Sequence, residues 1–411
     1  MRILLSAYAC EPGKGSEPGV GWHWATELAK LGYQVDVLTR ANNRELIEAA
    51  LVRDPVPGLC FHYCDLPRWA IWLKRGRRNY HLYYALWQRG AFHMARRLTQ
   101  TAQYDVVHHL TFGVFRQPSL MGRLGLPFVL GPLGGGDSIP QNLRSSFPRK
   151  RRLTEFVRDT MNHLACLNPS VRAMYRQAAL ILCRTEGTRS FVPPHSRQKT
   201  HLHRDVGIDP KTLVTHPQVP EQPASFLYAG SLSYLKGIHL ALEALAQVRL
   251  HRTDATLTVI GGGEDEQWLK DLAATLGISS AVRWLGKLPQ SQLWDHYARH
   301  AAFVFPSMRD SGGTVVLEAL SQALPVICLD TGGPGAILPP SCGFKVSVTD
   351  RTQAQVVADL AGAMQLYLDN PGLRQQAAHC ALEAARDRLW SDTVSTAYSL
   401  VEQTMRLHAQ V

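Results

Sequence analysis

The stretch F-V-F-P-S-M-R-D-S-G-G-T-V-V-L-E-A-L-S-Q-A-L-P-V-I-C-L-D-T-G-G-P, residues 303–334, decides how this chain is read. Ala302 to Phe305 is a short apolar run stopped by Pro306 and Ser307, the pattern of a buried strand. Asp310, Ser311, Gly312 and Gly313 make a loop. Thr314 to Ala323 then places apolar residues at 315, 316, 319, 320 and 323, a helical spacing. A strand, a Gly-rich loop and a helix in series leave backbone N–H groups free at the helix start, and those favour an anion. Asp310 in the loop and Glu318, one turn beyond Thr314 on the same face, frame that position. Carboxylates are poor phosphate ligands but good acceptors for sugar and ribose hydroxyls. A sugar nucleotide combines both needs.

The segment resembles the donor motif of family 4 retaining glycosyltransferases, Glu-x7-Glu, with Asp310 and Glu318 at the two acidic positions. The first acid departs from the motif by one methylene, Asp for Glu. What the resemblance implies is a GT-B architecture: α/β, two Rossmann-like doubly wound domains facing across a cleft. It also implies a hexosyltransferase that retains anomeric configuration, with the first acid beside the donor sugar and the second on the nucleotide ribose. Ser311, Gly312, Gly313, Thr314 and Val315 complete that donor-binding stretch. The reaction so implied needs no metal and no cofactor; the nucleotide sugar, UDP- or GDP-linked, is a substrate.

A chain of 411 residues is long enough for two or three domains. Its 45% hydrophobic and 19% charged content is that of a globular protein rather than a disordered one. Charge is uneven: residues 1–200 hold 28 Lys+Arg against 13 Asp+Glu (+15), residues 201–411 hold 16 against 20 (−4), which sums to +11. Two domains with different partners fit this split, and the basic half suits an anionic membrane surface, a phosphate-bearing acceptor or nucleic acid. Eight cysteines show no C-x2-C spacing, so reduced buried thiols are expected, with no zinc site. No signal peptide and no run of roughly 18 apolar residues is seen. A cytoplasmic protein, soluble or peripheral on the inner face of the plasma membrane, is the expectation.

In chain order, Arg2 to Ala9 reads as a strand, residues 11–21 as a Gly-rich loop, Trp22 to Leu31 as a helix and Gln34 to Thr39 as a second strand, a βαβ start. A dinucleotide fingerprint fails because Pro18 stands where Gly is needed and no acid follows the second strand. By resemblance this loop faces the donor phosphates, making Gly15, Gly19 and Gly21 candidates; a loop shaped only by turn geometry is the competing reading. From Leu66 to Leu98, Trp69, Trp72, Tyr80, Tyr83 and Trp87 recur among Arg and Lys, which suits a membrane interface or, equally, a stripe packed on the core. Arg149-Lys150-Arg151-Arg152 adds to the membrane reading. No nucleic-acid module is recognisable.

The strand Tyr104 to His108 leads to His109, the candidate cleft histidine by resemblance and by alternation along the strand, preferred over His108. A histidine that merely satisfies a loop carbonyl is the alternative. Phe128 to Leu130 leads into Gly134, Gly135, Gly136 and Asp137, an acceptor-side loop where Asp137 would meet hydroxyls. Domain limits are 1–205, a linker 206–222, a nucleotide-sugar-binding domain 223–388, and a helix 389–411 that in the family crosses back to the first domain. In the second domain Gly230, Ser231, Lys236, Gly261, Gly286 and Leu288 fall in loops at the carboxyl ends of strands, the ligand edge of open α/β sheets. The run containing Lys236-Gly237 is similar to the family's G-R-L…K-G diphosphate clamp, with Ser231 replacing the Arg and Arg309 a candidate substitute cation.

The expected function is sugar transfer from a nucleotide diphosphate to a saccharide or lipid-linked saccharide in bacterial surface polysaccharide synthesis. Asp310, Glu318, Lys236 and His109 are the expected catalytic set. The alternatives are a GT-B nucleotide-sugar epimerase and a non-catalytic, membrane-associated sugar-nucleotide binder.

Overall fold

The structure, a computed structural model, describes residues 1–66, 80–144 and 147–409. The chain divides into two compact units: residues 1–136, 158–206 and 390–411 in the first, 137–157 and 207–389 in the second. The sequence reading had put residues 137–157 wholly within the first domain.

The first unit is built on seven parallel strands: β1 (Arg2–Ser6), β2 (Gln34–Thr39), β3 (Leu59–Tyr63), β4 (Val106–His109), β5 (Phe128–Leu133), β6 (Ala178–Cys183) and β7 (Thr200–Leu202). Their spatial order is β3-β2-β1-β4-β5-β6-β7, so the sheet grows in one direction from β1 and then reverses from β4. Parallel strands covered on both faces carry continuous apolar runs; Ile3, Leu4, Leu5, Val106, Val107, Phe128, Val129 and Ile181 are all buried. Tyr83, Trp87 and Phe115 pack into the same core. Tyr83 donates to Asp65 Oδ1 (2.7 Å) and Trp87 Nε1 to the Cys64 carbonyl (2.8 Å). These two aromatics are core, not membrane anchors. Residues 67–79, Trp69 and Trp72 included, lie outside the described residues, as does the Tyr80 side chain. The helix Trp390–Ala409 belongs to this unit, with Tyr398 buried beside His108.

The second unit holds six parallel strands: β8 (Gln222–Ala229), β9 (Thr256–Ile260), β10 (Val282–Gly286), β11 (His300–Phe305), β12 (Val326–Leu329) and β13 (Gly343–Val346). The order is β10-β9-β8-β11-β12-β13, and the direction of growth reverses between β8 and β11. At such a reversal the loops leaving the two strands diverge to opposite faces and open a crevice at the carboxyl edge. The loops concerned are 230–237 and 306–313. Among the described residues no helix is long and apolar enough to cross a membrane, and all eight cysteines are free thiols.

Candidate functional site

Backbone contacts hold the two crevice loops of the second unit together. Met308 N and Arg309 N donate to the Leu235 carbonyl at 3.0 and 3.3 Å. Gly237 has φ +65°, and a Cβ there would stand 1.9 Å from the Pro306 carbonyl oxygen. Only glycine lets the loop after β8 approach the loop after β11 so closely. The result is one ion pair at the switch point: Lys236 Nζ lies 2.6 Å from Asp310 Oδ2. Phe305 lies beneath the ammonium, 5.8 Å from ring centroid to Nζ.

Asp310 uses its other oxygen to accept the N–H groups of Gly312 (3.0 Å) and Gly313 (3.2 Å). These are the amides at the start of the helix Thr314–Ser321, expected from sequence to be open for phosphate. In the structure the protein's own carboxylate holds them. Burial pushes the Asp310 carboxyl up, yet Lys236 and the two amides outweigh it and hold the group below the usual carboxylate range. Gly313, φ +64°, makes the left-handed turn into the helix.

Glu318, one turn in, has a different environment. Tyr297 donates to Oε2 (3.1 Å) and Gln290 to Oε1 (3.2 Å). No cation reaches it among the described residues, and burial pushes its pKa up to about 7. The two acids of one motif are therefore driven apart, one held ionised and one poised near neutrality. Neither Tyr297 nor Gln290 was singled out in the sequence, because both lie on the helix Gln290–Tyr297, away from any glycine loop.

The remaining second-unit candidates line the same edge. Gly230 and Gly261 pack backbone on backbone, a Cβ on Gly261 standing 1.8 Å from the Gly230 carbonyl oxygen. Their smallness is structural. Ser231 is exposed, and its carbonyl accepts the Tyr228 hydroxyl (3.0 Å). Gly286 and Leu288 are half-buried, as are Ser311, Gly312, Thr314 and Val315. Arg309 does not stand in for the missing clamp cation: its guanidinium pairs with Glu155, a buried carboxylate that also accepts from Tyr234 (2.8 Å).

In the first unit the reversal falls between β1 and β4, and the loops after those strands are tied together. Ala9 N donates to Thr111 Oγ1 (3.0 Å), and Phe112 N to Glu17 Oε2 (2.8 Å). Arg184 bridges Glu17 Oε1 (2.7 Å) and Asp205 (2.8 Å). Glu17 was passed over in the sequence because it looked like one polar residue of a turn. A Cβ on Gly19 would stand 2.1 Å from the Lys14 carbonyl oxygen, and one on Gly21 2.0 Å from that of Ala9. These two glycines serve helix–loop packing; Gly15 is the N-cap of the helix Ser16–Lys30.

His109 is buried, with Ser119 Oγ 3.0 Å from Nδ1 and the Tyr84 hydroxyl 3.3 Å from Nε2. His108 is buried too, donating from Nε2 to the Gly131 carbonyl (2.7 Å), with the Tyr398 hydroxyl 3.1 Å from Nδ1. Burial pushes both imidazoles down to about 4. Gly136 packs against Thr188, whose Oγ1 accepts its N–H (3.2 Å), while the Gly135 carbonyl accepts from Arg158 (2.8 Å). Asp137 is buried and groups with the second unit. Of the predicted catalytic residues, the structure brings Lys236, Asp310 and Glu318 to one edge of one sheet.

Residues 212–381 match the family described as Glycosyl transferases group 1. The matched stretch falls within the second unit. The glycogen synthase of Mycobacterium tuberculosis (strain H37Rv) is 36% identical over 184 residues, 44% of this chain and 42% of the relative. The chain thus spans about two fifths of the glycogen synthases it matches. A D-inositol 3-phosphate glycosyltransferase of Pseudarthrobacter chlorophenolicus is 25% identical across 94% of this chain and 90% of its own length. Among solved structures, sucrose-phosphate synthase from Thermosynechococcus elongatus superposes with a TM-score of 0.67 at 17% identity, covering all of both chains. Anabaena Alr3699/HepE in complex with UDP-glucose gives 0.57 at 16% identity, again over both whole chains. At these identities the structural likeness shows the fold, two Rossmann-like α/β units as in GT-B glycosyltransferases. Glycosyltransferases are the enzyme class that these relatives and neighbours share.

Proposed function

We propose that the chain is a retaining glycosyltransferase that takes a hexose from a nucleoside diphosphate and passes it to a saccharide or lipid-linked saccharide. The observation that carries this reading is the Lys236–Asp310 pair at the β8/β11 reversal, with Glu318 one turn into the helix that follows the Asp310 loop. A cation, a helix start and two acids within one crevice match the needs of a diphosphate between two hydroxyl-rich groups. Glu318 takes the ribose hydroxyls; Lys236 takes the diphosphate. Charge builds on the departing diphosphate in the transition state, so a cation already fixed there lowers the barrier without reorganising. Asp310 orients the sugar and hands part of its hold on Lys236 to the phosphate. His109, neutral at physiological pH, serves as a hydrogen-bonding group in the first unit rather than a cation. Domain limits at 205 and 223, with the terminal helix returning to the first unit, belong to the same proposal.

UDP-linked hexoses are the first donors to try, since the HepE neighbour holds UDP-glucose. Thermal-shift titration with UDP- and GDP-sugars tests the site, because a ligand of the folded state raises the melting temperature by mass action. Product NMR with an oligosaccharide acceptor then reads transfer and anomeric configuration. Retained configuration is expected. Donor interconversion without acceptor would point to an epimerase, and binding without transfer or hydrolysis to a non-catalytic binder.

A further inference from the structure

The helix Arg149–Ala165 is built inside out. Residues 151, 155, 158 and 162 recur at steps of four and three, so they share one face. That face is polar and turned inward. Arg151 pairs with Asp265, Glu155 with Arg309 and Tyr234, Arg158 donates to the Gly135 carbonyl, and Asn162 accepts from Arg116. Leu153, Phe156, Val157, Met161 and Leu164 occupy the opposite side and are 47% to 67% exposed. A helix on the surface of a globular protein normally turns its apolar stripe to the core and its charges to water. Five large apolar side chains in one outward row mark a surface that meets something else.

Charge indicates what it meets. The exposed polar residues around the stripe are Arg149, Lys150, Arg152, Thr154, Thr160 and His163; the one remaining acid, Asp159, is paired with Arg158. A second copy of the chain would bring another cationic helix with no outward acid to meet it. An apolar row with cations clustered at one end is the pattern of a helix lying in the plane of an anionic membrane surface.

We propose that this helix docks the protein on anionic lipid, its apolar row entering the acyl–headgroup boundary and Arg149, Lys150 and Arg152 meeting headgroup phosphates. Arg151, the fourth member of that basic run, is excluded because Asp265 holds it and its guanidinium lies 4.7 Å from the Tyr234 ring centroid. The proposal goes beyond sugar transfer: docking can hold or fail whatever the chain does with nucleotide sugars.

Flotation of the full chain with phosphatidylcholine vesicles, with and without phosphatidylglycerol, tests it. The chain should float with the mixed vesicles, bind phosphatidylcholine alone at least about tenfold more weakly, and lose binding as salt rises. The Leu153→Glu/Leu164→Glu variant should lose about tenfold or more of its binding with an unchanged melting temperature, since both positions are exposed. Should that variant unfold, Arg149→Ala/Lys150→Ala/Arg152→Ala gives the reading, with binding reduced and the salt dependence flattened. Equal binding of wild type and variants overturns the proposal. So does wild-type indifference to phosphatidylglycerol, or a wild-type dimer that Leu153→Glu/Leu164→Glu dissociates.

Discussion

Lys236 and Asp310 are already bonded to each other, Nζ to Oδ2 at 2.6 Å, and Asp310 Oδ1 already holds the helix-start amides of Gly312 and Gly313. A diphosphate arriving at this edge must therefore share a cation and displace or outflank a carboxylate. The two partners should respond differently to substitution. Lys236→Ala removes the cation that the proposed function assigns to the phosphate, and a hydrogen bond to a charged group contributes about 1.5–3 kcal/mol. Affinity for the nucleoside diphosphate should fall about 10- to 100-fold. Asp310→Asn keeps an oxygen for the two amides but releases Lys236, so diphosphate affinity should hold or rise while turnover falls. Isothermal titration with UDP and GDP beside initial-rate kinetics reads both, and equal losses of affinity in the two variants would refute the sharing.

The second acid of the motif makes a prediction in pH. Burial raises Glu318 from 4.5 to about 7, so between those values the folded chain binds a proton that the unfolded chain has lost. A raised pKa contributes stability that is complete below the unfolded value and disappears as pH climbs through the folded one. Glu318→Gln accepts the same Tyr297 hydroxyl without a charge to desolvate. Its urea midpoint should exceed that of wild type at pH 8.5, and the gap should shrink steadily towards pH 4.5, with a free-energy difference of the order of 1–3 kcal/mol at the alkaline end. Asp310, held low, has the opposite sign: what it contributes is present above 3.8 and is lost as pH falls through its folded value. Parallel pH profiles for Glu318→Gln and wild type would show that Glu318 ionises normally.

Both sheets could be read in outline from sequence because their central strands, such as Ile3 to Ser6 and Phe303 to Phe305, are unbroken buried runs. The strands that escaped notice, β3, β7 and β13, are the sheet edges or close on them and are only partly buried. Leu59, Phe61 and Tyr63 do alternate, but over only five residues with none fully buried, and Thr200-His-Leu is three residues with one apolar side chain; an edge has one neighbour and more solvent, so the apolar signal is short. The first helix starts at Ser16, six residues before the expected Trp22. Pro18 and Gly19 looked like breakers, but proline in a first turn loses no helical hydrogen bond, and the glycines make room for the Lys14 and Ala9 carbonyls. Lys236, Asp310 and Glu318 were legible as a group because loop glycines punctuate them. Gln290, Tyr297, Glu17 and Glu155 were not: each acts through a partner distant in sequence.

Glycine chemistry gives a stability series that needs no ligand. Gly237→Ala combines φ +65° with a Cβ 1.9 Å from the Pro306 carbonyl oxygen, and Gly261→Ala combines φ +135° with one 1.8 Å from that of Gly230. Either must move backbone at the ligand edge, at a cost of several kcal/mol and with loss of donor binding. Gly362 sits exposed inside the helix Gln353–Asp369 with nothing within 4 Å of its would-be Cβ. Gly362→Ala should stabilise by about 0.5–1 kcal/mol. Denaturant unfolding of the three variants checks the order, and a tolerated Gly237→Ala would mean the two crevice loops are looser than drawn.

The first unit makes a kinetic prediction. His109 has both ring nitrogens engaged, by Ser119 and Tyr84, and burial pushes its pKa down to about 4. From pH 5.5 to 8 it stays neutral, so the turnover profile should show no histidine inflection near 6.5 in that range. His109→Gln retains one donor and one acceptor and should lose about tenfold in kcat with little change in donor KM; His109→Ala, which removes a ring partner of both the Ser119 and Tyr84 hydroxyls and leaves a cavity in a buried site, should lose more and melt lower. An inflection near 6.5 in wild type that disappears in His109→Gln would mean the imidazole takes up a proton in the working enzyme, and its role would then be that of an acid or base rather than a fixed hydrogen-bonding partner.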